Sequence, residues 1–243
     1  MKKALRQYLG AGIWVALGIV VAAQPVFATT PLSGAACLAQ AYPDLGEPLD
    51  YGDELQTQMA QTYPLEFRVP GPQEDPGRVR SEPFFKALYG ATREQVQAQL
   101  VAVPWPPSGG SLLFSSRHGA AAALQRVGAA LAPQPAAAYV RHSAGTFHWR
   151  NVAGTPRKSL HAFGVAVDFA LPRQLGRYWQ WSGCKEDKHC PYPEAVFRDA
   201  QMQDVVRAFE QEGFIWGGKW AHYDTLHFEY RPELVGPRCK NVQ

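Results

Sequence analysis

Two short apolar stretches, each broken by a histidine and a carboxylate, constrain this chain more than anything else in it. They are Ser159-Leu160-His161-Ala162-Phe163-Gly164-Val165-Ala166-Val167-Asp168 and Asp224-Thr225-Leu226-His227-Phe228-Glu229-Tyr230. Val165, Val167 and Phe169 alternate with Ala166 and Asp168, so the residues after Gly164 read as a strand that turns Asp168 to the face opposite its valines. Leu226, Phe228 and Tyr230 alternate with His227 and Glu229 in the same way. A carboxylate among Val, Ala and Phe is costly to bury unless a cation or several donors compensate. With the two strands adjacent in one sheet, His227 stands beside Asp168. His161, on the turn entering the first strand, folds over both. Two imidazoles and a carboxylate, with a fourth position left to water, form the three-ligand catalytic arrangement that zinc accepts. Asp224, three residues before His227, is then free to act as the base for that water.

The pattern Ser-x-His-x-x-Gly-x-Ala-x-Asp, followed by Asp-x-x-His-Phe-Glu, resembles the zinc D-alanyl-D-alanine carboxypeptidases of the VanY-like, LAS-type metallopeptidases. Their relatives include vancomycin-resistance dipeptidases and the L-alanyl-D-glutamate endopeptidases of phage lysins. Thr146-Phe147-His148-Trp149-Arg150 and Gly213-Phe214-Ile215-Trp216-Gly217-Gly218-Lys219-Trp220 extend the likeness, which runs from about Tyr139 to Tyr230. It is fainter in Asp75 to Arg80 and Phe84 to Gly90. The resemblance implies a hedgehog/DD-peptidase-like fold and one Zn2+ per chain held by His161, Asp168 and His227. It also implies Asp224 as catalytic acid/base, Arg150 as the cation near the scissile carbonyl or a substrate carboxylate, and Ser159 with Arg150 in substrate binding. His148 departs from the asparagine-like residue expected there, and a cysteine-bearing insert follows Asp168.

Residues 1–28 read as an export signal: Lys2, Lys3 and Arg6 precede an apolar run from Ile13 to Ala23, and Val26-Phe27-Ala28 suits a signal peptidase. The apolar run is short for a bilayer span, so no stable membrane insertion is expected after cleavage, and the protein is expected to be periplasmic or secreted. The chain holds 24 Lys+Arg against 21 Asp+Glu, and the signal carries three of the basic residues and no acidic one. The mature chain is therefore balanced, which removes the electrostatic case for nucleic acid. Four cysteines in an exported chain favour disulfides, read as Cys184 with Cys190 closing a small loop and Cys37 with Cys239 tying the ends.

Residues 29–110 read as a Pro/Gly-rich N-terminal arm with short helices, one within 52–62 and another opened by the Thr92/Gln95 capping box and running to about Leu100, where the prolines after Val103 stop it. The peptidase core is 111–243, with the insert at 171–193. There Ser116 is expected to cap a helix running through Ala132, and Glu194 to open one long helix that Gly213 ends. His142, His148 and His222 read as exposed or hydrogen-bonded neighbours of the site, and Trp179 and Trp181 as a substrate wall or as packing within the insert.

The expected fold is α+β, a single domain of helices packed on a mostly antiparallel sheet that carries the metal. The expected function is hydrolysis of a peptide bond in bacterial peptidoglycan stem peptides, first as a D-Ala-D-Ala carboxypeptidase. The alternatives are an L-alanyl-D-glutamate-type endopeptidase, a non-catalytic zinc-bearing wall-binding module, and a disulfide-stapled scaffold without metal.

Overall fold

The computed structural model describes residues 34–45, 53–185 and 191–235. Among these, the chain opens with α1 (Gly34–Ala41), α2 (Asp53–Met59), α3 (Glu82–Tyr89) and α4 (Arg93–Gln97). Ser81 starts α3 by accepting the Phe84 N–H, and Pro83 sits in the first turn, where a missing donor costs nothing. The capping box at α4 forms as expected, Thr92 accepting from Gln95 N–H and Gln95 Oε1 from Thr92 N–H. The helix nevertheless ends at Gln97 instead of reaching Leu100.

Beyond α4 the chain forms a hairpin rather than a helix end and a breaker: β1 (Leu100–Trp105) pairs antiparallel with β2 (Gly110–Ser115). Pro104 is tolerated because a strand in a two-stranded sheet keeps one free edge, where a missing donor leaves no ladder bond unmade. Trp105 is buried beneath the hairpin and donates its indole N–H to Val140 O at 2.7 Å.

Next comes α5 (Ala120–Leu131), which buries Leu124, Val127 and Leu131 at helical spacing. Its N-cap is Gly119, in the left-handed region at φ 77°, and not Ser116, whose hydroxyl donates to Gln99 O instead. β3 (Ser143–Gly145) and β4 (Ala166–Phe169) come after it. The single helix expected after Glu194 is two, α6 (Ala195–Arg198) and α7 (Ala200–Gln211). Asp199 divides them: its backbone is extended, and its carboxylate accepts the Met202 N–H at 2.9 Å as a fresh N-cap. Gly213, at φ 87°, turns the chain out of α7 into β5 (Phe214–Trp216), and β6 (His227–Tyr230) and α8 (Pro232–Val235) complete the described chain.

β3, β4, β6 and β5 lie side by side in that order, every pair antiparallel. The register sets Asp168 opposite His227, Val167 opposite Phe228 and Ala166 opposite Glu229. Phe228 stacks on Phe209 of α7 with ring centres 4.1 Å apart, which directs His227 and Glu229 to the other face. The fold is thus α+β, with helices packed on antiparallel sheet. Its core cluster takes in Leu38, Tyr42 and Phe85 as well as Phe209 and Phe228, so the first helices share the core of the four-stranded sheet.

A buried polar chain strengthens that union. Fully buried Arg231 donates from Nε to Glu233 and from Nη1 to Gly77 O, while Tyr42 and Gln58 donate to the same Glu233 carboxylate. No described helix is long and apolar enough to cross a membrane. Neither Cys37 nor Cys184 is a free thiol. The expected pairings each need Cys190 or Cys239, and both of these, like the expected signal at 1–28, lie outside the described residues.

Candidate metal centre

His161, Asp168 and His227 come together, each offering one ligand atom, with all three atoms within 4.8 Å of one another. Three local devices bring them there. His161 lies on a 3-10 turn, Leu160–Phe163, which Ser159 caps by accepting the His161 N–H. Gly164, at φ 67°, then swings the chain from that turn into β4; a Cβ there would meet Leu100 Cδ2 at 2.4 Å. The antiparallel register of β4 and β6 supplies the other two side chains.

The outer hydrogen bonds settle which atoms face inward. His161 Nδ1–H donates to Thr146 O at 2.6 Å, and His227 Nε2–H donates to the Glu229 carboxylate at 2.9 Å. This leaves His161 Nε2 and His227 Nδ1 as the atoms with lone pairs. They lie 3.2 Å apart, and Asp168 oxygens stand 2.7 Å from His227 Nδ1 and 3.2 Å from His161 Nε2. Two nitrogen lone pairs and a carboxylate converging at such distances call for positive charge between them, and N/N/O donors of this kind fit zinc.

The electrostatics agree. Burial favours neutral Asp168, yet the two histidines outweigh it and hold the carboxyl well below the ordinary range. Burial pulls His227 down, but hydrogen bonds to Asp168 and Glu229 raise it to about 10, so without a metal ion a proton competes for the centre. Glu229 is buried as well; Arg80 and His227, then Arg231, overcome that burial and lower it to about 2. Arg80 reaches Glu229 at 3.2 Å and Arg231 at 3.3 Å. Sequence reasoning gave Glu229 and Arg80 no role, although Glu229 shares the alternating face of His227 and that pattern was visible.

A cavity of about 360 Å³ opens over the cluster, and Asp224, Arg150, Ser159, Tyr178 and Trp181 are among its walls. Asp224 sits in the turn just before β6, where its N–H donates to Gly217 O at 3.0 Å. Gly217 permits this approach, since a Cβ would lie 2.6 Å from Asp224 O. Asp224 Oδ1 is buried without a hydrogen-bond partner, and burial, supported by the charges of Asp168 and Glu229 and opposed by His227, raises the carboxyl from 3.8 to about 7.

Arg150 is exposed on the cavity wall, and among the described residues its guanidinium donates only to Asn151 O. His142 and His148 are exposed, and His222 pairs with Asp75 at 2.5 Å, so none of the three joins the cluster. Trp179 and Trp181 both line the cavity; Trp179 is buried against the His222 ring, whereas Trp181 is 71% exposed.

A family model described as D-alanyl-D-alanine carboxypeptidase matches residues 153–230, the stretch that carries His161, Asp168, Asp224 and His227. No curated protein and no solved structure matches the chain.

Proposed function

Because the stretch bearing this site matches the D-alanyl-D-alanine carboxypeptidase family, we propose that the protein is a zinc peptidase that hydrolyses peptidoglycan stem peptides at their terminal D-alanyl-D-alanine bond. The observation that carries this reading is the convergence of His161 Nε2, Asp168 and His227 Nδ1 in one cavity with the Asp224 carboxylate, whose Oδ1 has no hydrogen-bond partner. When bound, one zinc ion supplies Lewis acidity toward the scissile carbonyl and makes a water acidic enough to lose its proton near neutral pH.

The chain's own residues do the rest. Thr146 O and Glu229 hold the two imidazoles in their ligating tautomers. Asp224, on the cavity wall beside the three ligands, takes a proton from water and returns it to the leaving amine. The Arg150 guanidinium faces the cavity, where it suits a substrate carboxylate or a developing oxyanion. Ser159 seats the turn that bears His161 and lines the same cavity. Export through residues 1–28, with disulfides 184–190 and 37–239, belongs to this reading, since stem peptides lie outside the cytoplasm.

Mass spectrometry of muropeptides incubated with the zinc-loaded protein tests the proposal. Loss of a single terminal alanine is the expected product. A cut between L-alanine and D-glutamate would make it an endopeptidase, and binding without any cleavage would make it a wall-binding module.

A further inference from the structure

Residues 150–159 form a small antiparallel ladder beside the cavity. Asn151 bridges Lys158, Ser159 N–H donates to Arg150 O at 3.1 Å, and Val152 N–H donates to Arg157 O at 2.8 Å. Side chains alternate across such a ladder, so Arg150, Val152, Arg157 and Ser159 share one face while Asn151 and Lys158 share the other. The cavity wall obeys that division, taking in all four of the first group and neither of the second. Lys158 instead donates to Asn151 Oδ1 and lies 4.7 Å over the Trp149 ring. Arg150 and Arg157 are therefore diagonal neighbours on the cavity face, at positions about 7–8 Å apart in an antiparallel pair.

Among the described residues no nearby carboxylate forms an ion pair with either of these two guanidinium groups, Asp224 on the shared cavity wall included. Asp168 is engaged by the histidines, Glu229 by Arg80 and Arg231, and Asp75 by Arg78. Among the described residues the Arg150 guanidinium donates only to Asn151 O and the Arg157 guanidinium only to Arg78 O, and neither has a carboxylate partner. Arg157 also borders a second cavity of about 500 Å³, so it stands where the two spaces meet.

Resting on the peptidase reading above, we propose that this ladder selects peptides carrying two carboxylates: Arg150 takes the terminal one, and Arg157 takes a second on a residue upstream of the scissile bond. An arginine fork pairs with a carboxylate through two parallel hydrogen bonds, which gives both affinity and spacing. A peptide whose only carboxylate is its terminus leaves Arg157 uncompensated.

The probes are two synthetic peptides ending in D-alanyl-D-alanine, one with glutamate and one with glutamine third from the C-terminus. Their affinities are measured by calorimetry on the zinc-loaded Asp224→Asn protein, which does not consume them. The glutamate peptide is expected to bind about tenfold tighter, as one charge-assisted pair provides. Adding Arg157→Gln removes this preference. Adding Lys158→Gln, which makes the same charge change on the opposite face, keeps it. Equal affinities in the parent, or a preference that survives Arg157→Gln, overturns the proposal. Cleavage of both peptides by the otherwise unaltered protein is monitored in parallel. An Arg157-dependent preference without cleavage supports the ladder's role and defeats the peptidase reading alone.

Discussion

Asp224 is a carboxyl group placed where burial works against its charge. In the metal-free protein its pKa rises from 3.8 to about 7, so the folded state holds a proton that the unfolded chain releases. The resulting penalty on folding is absent below about pH 3.8, grows as pH rises toward 7 and is complete above it. Asp224→Asn removes that penalty and is expected to stabilise the metal-free protein by about 1–3 kcal/mol at pH 8, with no gain near pH 3.5. Urea titrations at the two pH values measure this. The same substitution is expected to lower turnover at least a hundredfold while zinc stays bound, because an amide cannot accept the proton. Undiminished hydrolysis would remove Asp224 from the chemistry. Glu229 acts at one remove, by holding His227 Nε2–H. Glu229→Gln is expected to weaken zinc about 10–100-fold with the circular dichroism unchanged, and competition against a chelating dye reads the effect. Equal affinity in the two proteins would show that the tautomer is set without the carboxylate.

Among elements, the passage from the His161 turn to β4 hinges on Gly164. Its φ of 67° and the 2.4 Å approach of Leu100 to any Cβ leave room for neither another backbone preference nor a methyl group. Gly164→Ala is expected to cost about 2–4 kcal/mol, from left-handed strain together with overpacking against β1. Because the turn carries one ligand and the strand another, the variant should lose zinc affinity along with stability. A melt in excess zinc compared with one in chelator separates the two losses, and a destabilisation equal in both would place the damage outside the metal centre. The hairpin of β1 and β2 thus bears on the site through Leu100, although its own residues are remote from the cavity.

On the scale of the whole molecule, the residues before the core are bound to the four-stranded sheet by buried charge. Arg231 comes directly after β6 and is fully buried; it meets Glu233, Glu229 and Gly77 O, while Tyr42, just after α1, and Gln58 of α2 close on Glu233. Arg231→Met leaves two carboxylates buried beside an apolar side chain and is expected to cost about 3–5 kcal/mol. Urea unfolding monitored by tryptophan fluorescence measures it, and a loss under about 1 kcal/mol would mean that the apolar core alone joins these segments. Chelation is expected to lower the melting temperature in proportion to zinc affinity, since an ion held only by the folded state adds its binding free energy to stability.

By itself the sequence determined the meeting of His161, Asp168 and His227 and the two strands that carry Asp168 and His227. Strand alternation obeys a strict period of two, and a His-Asp-His set among valines has few inexpensive alternatives to a cation. It also determined the capping box at Thr92 and Gln95, which is a reciprocal bond between neighbours. What it left open was decided by contacts distant in the chain. The β1 stretch read as a helix end and a proline stop because Pro104 hides an alternation that only pairing with β2 and burial of Trp105 reveal. The break at Asp199 lay within an unbroken apolar stripe, and Ser116, a sound cap by its type, was drawn to Gln99 O across the hairpin junction. Arg80, Glu229 and Arg231 looked like ordinary charges in the sequence. Their burial against one another, and the shared face of Arg150 and Arg157, arise only when the sheet and the ladder close, because a charge's partner is chosen by position in space and not by spacing along the chain.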